Sequence, residues 1–160
     1  MTFLIYLFWS LLGLIFYTYL GYGIVVWAWA KLLNVLRPIQ PLAPFEPEVT
    51  LVVPAYNEAY ILEDKVANCL ALNYPTDKLK LLFITDGSTD NSGQVLGRYP
   101  RVQHLHVPQR GGKSMAENRA MQHVDTPFVV FTDANTTLNP EAVRELVKHY
   151  QDPKVGAVSG

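Results

Sequence analysis

The chain has 160 residues, 49 % of them apolar, a net charge of −1 and a single cysteine, Cys69. That length suits one domain with a small appendage. Lys and Arg form no cluster, which argues against nucleic acid as a partner because phosphate backbones are held by clustered positive charge; a lone cysteine excludes an internal disulfide and fits a reducing compartment.

From Met1 to Ala30 there is no Asp, Glu, Lys, Arg or His. A bilayer core needs about 20 apolar residues in a helix. The run from Phe3 to Ala30 exceeds this, which allows tilt or overhang. Phe3, Tyr6 and Trp9 lie near one end and Trp27 and Trp29 near the other, as rings that favour the headgroup zone should. The pattern predicts a transmembrane helix with an interfacial continuation through Leu32, Leu33, Val35 and Leu36, together residues 1–36. A cleaved signal peptide is the competing reading, since Ala28-Trp29-Ala30 resembles a cleavage site. Against it, no basic segment precedes the run, and the run is long. Lys31 and Arg37 follow the span and only the terminal amine precedes it. Positive charge stays on the cytoplasmic side, so Met1 is expected outside and the main domain in the cytosol, with the protein integral to the plasma membrane.

Pro38, Pro41, Pro44 and Pro47 recur at every third position. This matches the three-residue turn of a polyproline helix and predicts a stiff linker over 37–47. A proline-rich loop packed on the domain surface is the alternative.

Residues 48–160 alternate strand and helix patterns. Val49 to Val53 is a β-branched run ending at Pro54, and Ile61 to Leu72 has helical spacing. Leu79 to Thr85 is a second apolar run, closed by the turn signal Asp86-Gly87. A short helix is predicted over Gly93–Tyr99, a third strand over Val102–Val107 and a helix over Lys113–His123. Phe128–Phe131 reads as a fourth strand. Asn139 is expected to cap a helix with Pro140 at its first position, running to about Tyr150. Gly156-Ala157-Val158 is expected to open a fifth strand. Such alternation, with near-continuous apolar strands, implies an α/β fold with a mostly parallel sheet covered by helices on both faces. Sheets of this kind bind ligands at the carboxyl ends of their strands. Tyr56-Asn57-Glu58, Asp86 and Asp133-Ala134-Asn135 all fall at such ends, so three distant loops are expected to share one site.

Four other features have plain readings. His104 and His106 share a strand face, as a metal pair or as two half-exposed strand histidines. Glu63, Asp64 and Lys65 read as a solvated helix face. Gly112-Lys113-Ser114 ends like a P-loop, but Val107 stands where that pattern needs glycine. Asp133-Ala134-Asn135 begins like a calcium loop, but Leu138 and Arg144 replace its glycine and ligating glutamate.

The motifs together resemble the family 2 glycosyltransferases. Val53-Pro54-Ala55-Tyr56-Asn57-Glu58 is similar to the family's opening motif and Asp86-Gly87-Ser88-Thr89-Asp90 to its second. Phe131-Thr132-Asp133-Ala134-Asn135 stands where the family has Asp-x-Asp, and Gly111-Gly112-Lys113 with Asn118 resembles the loop before its next helix. The resemblance covers about Glu48 to Gly160 and implies a truncated GT-A, Rossmann-like domain. An apolar span ahead of it further resembles the cellulose, hyaluronan and poly-N-acetylglucosamine synthases, and also enzymes that glycosylate a lipid.

The resemblance implies inverting transfer from a nucleotide sugar, by expectation a UDP-sugar, to a glycan or lipid acceptor, with Mg²⁺ or Mn²⁺. It places Pro54, Ala55, Tyr56, Glu58, Asp86, Lys113 and Asp133 against the donor, and Asp133 with Asn135 on the metal. Asp86 would read the base imino group, Tyr56 would pack on the base, and Lys113 would meet anionic oxygens. A divalent ion there acts as a Lewis acid that neutralises the leaving diphosphate. Asn135 departs from the family, since an amide oxygen carries no full charge, and a catalytically degenerate nucleotide-sugar-binding protein remains a rival. An NAD-dependent enzyme would need G-x-G-x-x-G where Pro54-Ala55-Tyr56 stands. The family's later acidic motif and its Gln-x-x-Arg-Trp do not occur in these residues. No catalytic residue is assigned, and the chain reads as a partial one that binds donor without transferring sugar on its own.

Overall fold

The computed structural model describes residues 1–36 and 43–160. Arg37, Pro38 and Pro41, on which part of the charge and linker readings falls, lie outside the described residues. The chain divides into two units, Met1–Pro41 and Leu42–Gly160.

The first unit is helical: α1 (Thr2–Phe16), a π-helical turn (Tyr17–Gly21) and α2 (Tyr22–Leu36). Its apolar stretch, Thr2–Leu33, runs for 32 residues with none of its best window buried. At 1.5 Å per residue that is about 48 Å, against a hydrocarbon core of about 30 Å. Among the described residues it is the single helix long and apolar enough to cross a membrane. Near its end, the Lys31 ammonium lies 4.7 Å from the centre of the Trp27 ring. This lets a cation share an apolar helix face while its tip reaches toward water.

The second unit is built on β1 (Val49–Ala55), β2 (Leu79–Asp86), β3 (Val102–Val107) and β4 (Phe128–Phe131). All pairs are parallel, in the order β3-β2-β1-β4. The helices are α3 (Ala59–Leu70), α4 (Ser92–Leu96), α5 (Lys113–Met121) and α6 (Ala142–Val147), the last tightening into a 3₁₀ turn at Lys148–Gln151. Strand side chains alternate between faces. Leu51, Val53, Leu81 and Phe83 meet Leu62, Val66 and Cys69 of α3, Leu96 of α4, and Val143 and Val147 of α6. Val52, Leu82 and Ile84 meet Ala116 and Ala120 of α5. Both faces of β1 and β2 are covered, which is why these two strands read as near-continuous apolar runs, whereas β3 alternates and stays half-exposed. Cys69 is buried in this core, and burial pushes its thiol up to about 11, so it is chemically quiet.

Three elements differ from their sequence pattern. Gly156-Ala157-Val158 forms no strand: β4 has β1 as its sheet neighbour and no other partner among the described residues, and a strand exists only by pairing. The last α-helix starts at Ala142 and is six residues long, and ahead of it the Pro140 carbonyl accepts the Asn73 N–H at 2.8 Å. Asn139 still caps that corner, its Oδ1 accepting the Glu141 N–H at 3.0 Å. Lys65, expected in solvent, is 3 % exposed. It lies three residues after Leu62 and four before Cys69, on the buried stripe of α3. The described part of the proline-rich segment lies against this unit: Tyr74 donates to the Pro47 carbonyl at 2.6 Å and Gln151 to that of Ala43 at 2.7 Å.

His104 and His106 both face the buried hydroxyl of Thr85, each at 2.9 Å. Burial, then the charge of His106, holds His104 below its ordinary value of 6.5. The unfolded chain therefore binds this proton more readily, and stability falls as pH drops below about 6.5 toward the folded value. The expected result is a Tm that declines from pH 7 to pH 5 more steeply in the wild type than in His104→Gln. Equal slopes in the two proteins would remove His104 from the account.

Candidate functional site

In the order β3-β2-β1-β4 the chain runs outward from β1 in both directions, so a switch point lies between β1 and β4. Val52 pairs with Phe131 and Ala55 with Thr85, which brings the loops after β1, β2 and β4 to one edge. There they line a cavity of about 380 Å³ that Pro54, Ala55, Tyr56, Glu58, Asp86, Lys113, Asp133 and Asn135 share with Arg110, Gly112, Ala116 and Ala134. The eight residues expected to hold donor and metal thus all line this one cavity, while Asn57 beside them does not.

The loop after β1 is held in shape by the loop after β2. Asn57 adopts a φ of 54°, a left-handed conformation that asparagine tolerates. Its N–H donates to Ser88 Oγ at 3.1 Å, and its Oδ1 accepts the Thr89 N–H at 2.8 Å. Asp90 accepts the Ala59 N–H at 2.9 Å and so satisfies one open donor at the start of α3. The second motif thus divides its labour. Ser88, Thr89 and Asp90 fasten the neighbouring loop and α3, while Asp86 alone reaches the cavity.

Asp86 is 4 % exposed. Its Oδ2 accepts the N–H groups of Gly111 and Gly112 at 2.8 and 2.6 Å, and its Oδ1 accepts Arg119 Nη1 at 2.8 Å. The carboxylate therefore organises the glycine loop at the start of α5. Glycine is required there: Gly112 has a φ of 86°, and a Cβ on Gly111 would stand 2.8 Å from Met115 Cβ. Gly87 has a φ of 70°, and a Cβ on it would press against the Arg110 backbone at 2.9 Å.

Lys113, the first residue of α5, crosses the cavity to Asp133 Oδ1 at 2.6 Å. The hydrogen bond and charge of Asp133 raise Lys113 above its ordinary value. The Arg110 guanidinium lies 3.8 Å from the centre of the Tyr56 ring. Sequence reasoning misses Arg110 and Arg119 and misplaces Lys65 in solvent. Lys65 had a signal, its place on the apolar stripe of α3; Arg110 and Arg119 had none, since their partners are remote in the chain.

Among the described residues no three His, Cys, Asp or Glu side chains gather as a metal cage. Asp133 and Asn135 line the same cavity, a donor set of one carboxylate and one amide oxygen. This fits a hard divalent ion whose remaining ligands come from phosphate oxygens and water. It does not fit a resident structural metal.

Residues 50–160 match the family model described as "Glycosyl transferase family 2". The chain belongs to the family 2 glycosyltransferases. It is 29 % identical over 116 residues to the poly-beta-1,6-N-acetyl-D-glucosamine synthase of Staphylococcus aureus (strain COL), covering 70 % of this chain and 28 % of the synthase. The Staphylococcus epidermidis synthase of the same name is 25 % identical over the same length. The chain thus spans little more than a quarter of the relatives it matches. Among solved structures, the mannosyltransferase PcManGT from Pyrobaculum calidifontis, in complex with GDP-Man and Mn²⁺, superposes with a TM-score of 0.72 at 31 % identity, covering 88 % of this chain and 43 % of that one. TarS 1-349 of S. aureus, in complex with UDP-GlcNAc, shares the fold with a TM-score of 0.58 at 20 % identity.

Proposed function

We propose that this chain supplies the donor-binding half of a membrane-anchored glycosyltransferase. It takes a UDP-sugar at the cytoplasmic face of a membrane and serves inverting transfer to a growing glycan or a lipid-linked acceptor. The observation that carries the reading is the meeting of Tyr56, Asp86, Lys113 and Asp133, from four separate loops or helix starts, in one cavity at the switch point. The relatives support it by their names: a polysaccharide synthase, a mannosyltransferase with GDP-Man and Mn²⁺, and a protein with UDP-GlcNAc.

In this reading Tyr56 offers a flat face to the base. Asp86 has donors from Gly111, Gly112 and Arg119 on its oxygens, which leaves room on Oδ1 for a single further N–H. Uracil presents one such imino N–H, whereas guanine presents an imino and an amino donor together. Lys113 exchanges its contact with Asp133 for diphosphate oxygens, and its charge offsets that of the leaving group. A divalent ion held by Asp133 and Asn135 would supply Lewis-acid stabilisation of that leaving group. No residue here is assigned as the base for the acceptor hydroxyl. Calorimetric titration of UDP and GDP into the full-length protein, with and without Mn²⁺, tests the reading. UDP is expected to bind more tightly, with metal enhancing it; preference for GDP would move the donor class.

A catalytically degenerate nucleotide-sugar-binding protein is the second reading, favoured by Asn135 and by the Lys113–Asp133 contact. Sugar transfer by the full-length protein would exclude it. Met1 outside and Gly160 in the cytosol are part of the proposal, from Lys31 and Arg37 on one side of the span. An engineered cysteine after Gly160 should resist an impermeant thiol reagent in intact cells and react once they are opened. Labelling in intact cells would reverse the topology.

A further inference from the structure

Among the described residues, Lys65 and Asp86 are the charged side chains that the core buries. Asp86 has its place in the cavity wall. Lys65 does not line the cavity, yet it sits in a core where methionine would pack without any desolvation penalty. What it touches explains its presence. Its ammonium donates to Thr132 Oγ1 at 3.0 Å and to the Thr136 carbonyl at 2.5 Å. These atoms bracket Asp133, Ala134 and Asn135, the segment that presents the acidic and amide oxygens to the cavity.

We propose that Lys65 is a positioning residue: its buried ammonium clamps both ends of the Thr132–Thr136 loop and so sets where Asp133 and Asn135 meet a nucleotide diphosphate. This rests on the reading of the cavity as a donor site. A lysine suits the task because one tip carries three donors, enough to tie a hydroxyl and a carbonyl at once. The same face of α3 adds a second tie. Asn68 donates to the Leu138 carbonyl at 2.8 Å and accepts the Leu138 N–H at 2.9 Å. The loop's own backbone gives less: the Thr132 N–H reaches the Val52 carbonyl at 3.1 Å, and a single turn bond joins Thr136 to Asp133 at 3.3 Å. The Lys113–Asp133 pair is about half exposed on both sides, and such pairs fix little.

Because α3 begins directly after Glu58 and its first turn is held by Asp90, the clamp also joins two walls of the cavity. The loop after β1 and the loop after β4 hang from opposite stretches of one rigid helix. A shift of either is passed to the other through Lys65.

The test uses the full-length protein with Lys65→Met, Thr132→Val and the conservative Thr132→Ser. Thr132→Val keeps the core shape while removing one acceptor, and so serves if Lys65→Met fails to fold. In hydrogen exchange without ligand, the hydrogen-bonded amides of Thr136 and Leu138 should exchange about tenfold faster in Lys65→Met and Thr132→Val, with β1 and β2 unchanged. In UDP titrations the enhancement by Mn²⁺ should fall about tenfold in both variants, as for loss of an outer partner of a metal ligand. It should persist in Thr132→Ser, and metal-free UDP affinity should hold in all three. Unchanged exchange overturns the proposal. So does faster exchange with the full Mn²⁺ enhancement, or an equal loss with and without metal. If the wild type binds no UDP under either condition, the donor reading fails, and the clamp stands or falls on the exchange data alone.

Discussion

Asp133→Ala is expected to remove the metal-dependent part of UDP affinity, a loss of about a hundredfold in Mn²⁺. Altering outer-shell partners of a metal ligand costs about 10–100-fold, and loss of the ligand itself belongs at the upper end. Asp133 is the one carboxylate at the end of β4 in the cavity, with Asn135 beside it, so its removal leaves an amide that carries no full charge. Without metal the same variant should bind UDP nearly as well as the wild type, because Lys113, released from its 2.6 Å contact with Asp133, stays available to phosphate. Asn135→Asp runs the other way. It restores a second carboxylate and should strengthen the Mn²⁺ effect. Titrations of UDP with and without Mn²⁺ into the three proteins decide the matter. Full metal dependence in Asp133→Ala would break the assignment and favour the degenerate reading.

Asp86→Ala should behave differently, by damaging affinity and stability together. The sequence resemblance assigns Asp86 to the base alone. The structure adds three protein donors on the same carboxylate, two backbone N–H groups of the glycine loop and the Arg119 guanidinium. Removing the carboxylate leaves the Arg119 guanidinium, 26 % exposed, without its counter-charge and with the Gln109 carbonyl at 3.2 Å. Breaking a buried pair from one side costs about 3–5 kcal/mol, and partial exposure of Arg119 puts this one at about 3 kcal/mol. The Tm should fall by several degrees. UDP affinity should fall about a hundredfold both with and without Mn²⁺, since the base contact is lost and the loop carrying Lys113 is freed. Arg119→Gln separates the two effects: it should lower the Tm while keeping most of the UDP affinity. A normal Tm in Asp86→Ala would show that the glycine loop holds its shape without the carboxylate.

The class of fold was legible along the chain because its causes are local. The β-branched run Val49–Val53 reads as a buried strand and is one. Phe128–Phe131 reads as a strand and is one that stays half-buried with Phe131 exposed. The spacing of Ile61, Leu62, Val66 and Leu70 reads as a helix with one buried side. The motif loops were legible for the same reason, as polar residues placed at strand ends, where a parallel sheet opens its ligand edge. The 32-residue apolar stretch likewise declares itself by composition.

The roles of individual side chains were decided by the tertiary structure. Lys65 stands beside Glu63 and Asp64 in a run that reads as solvated, yet its partners are Thr132 and Thr136. Asp86 finds Arg119, and Arg110 covers Tyr56. His104 and His106, on paper a metal pair or two half-exposed strand histidines, share the hydroxyl of Thr85. The expected fifth strand at Gly156 needed a neighbour that these residues do not give it. Periodicity reports which way a side chain points relative to its own element. Which atom waits on the other side depends on how distant segments pack. A buried charge or hydroxyl takes the partner that packing leaves within hydrogen-bond reach, because leaving it unpaired in the core costs more than any local preference supplies.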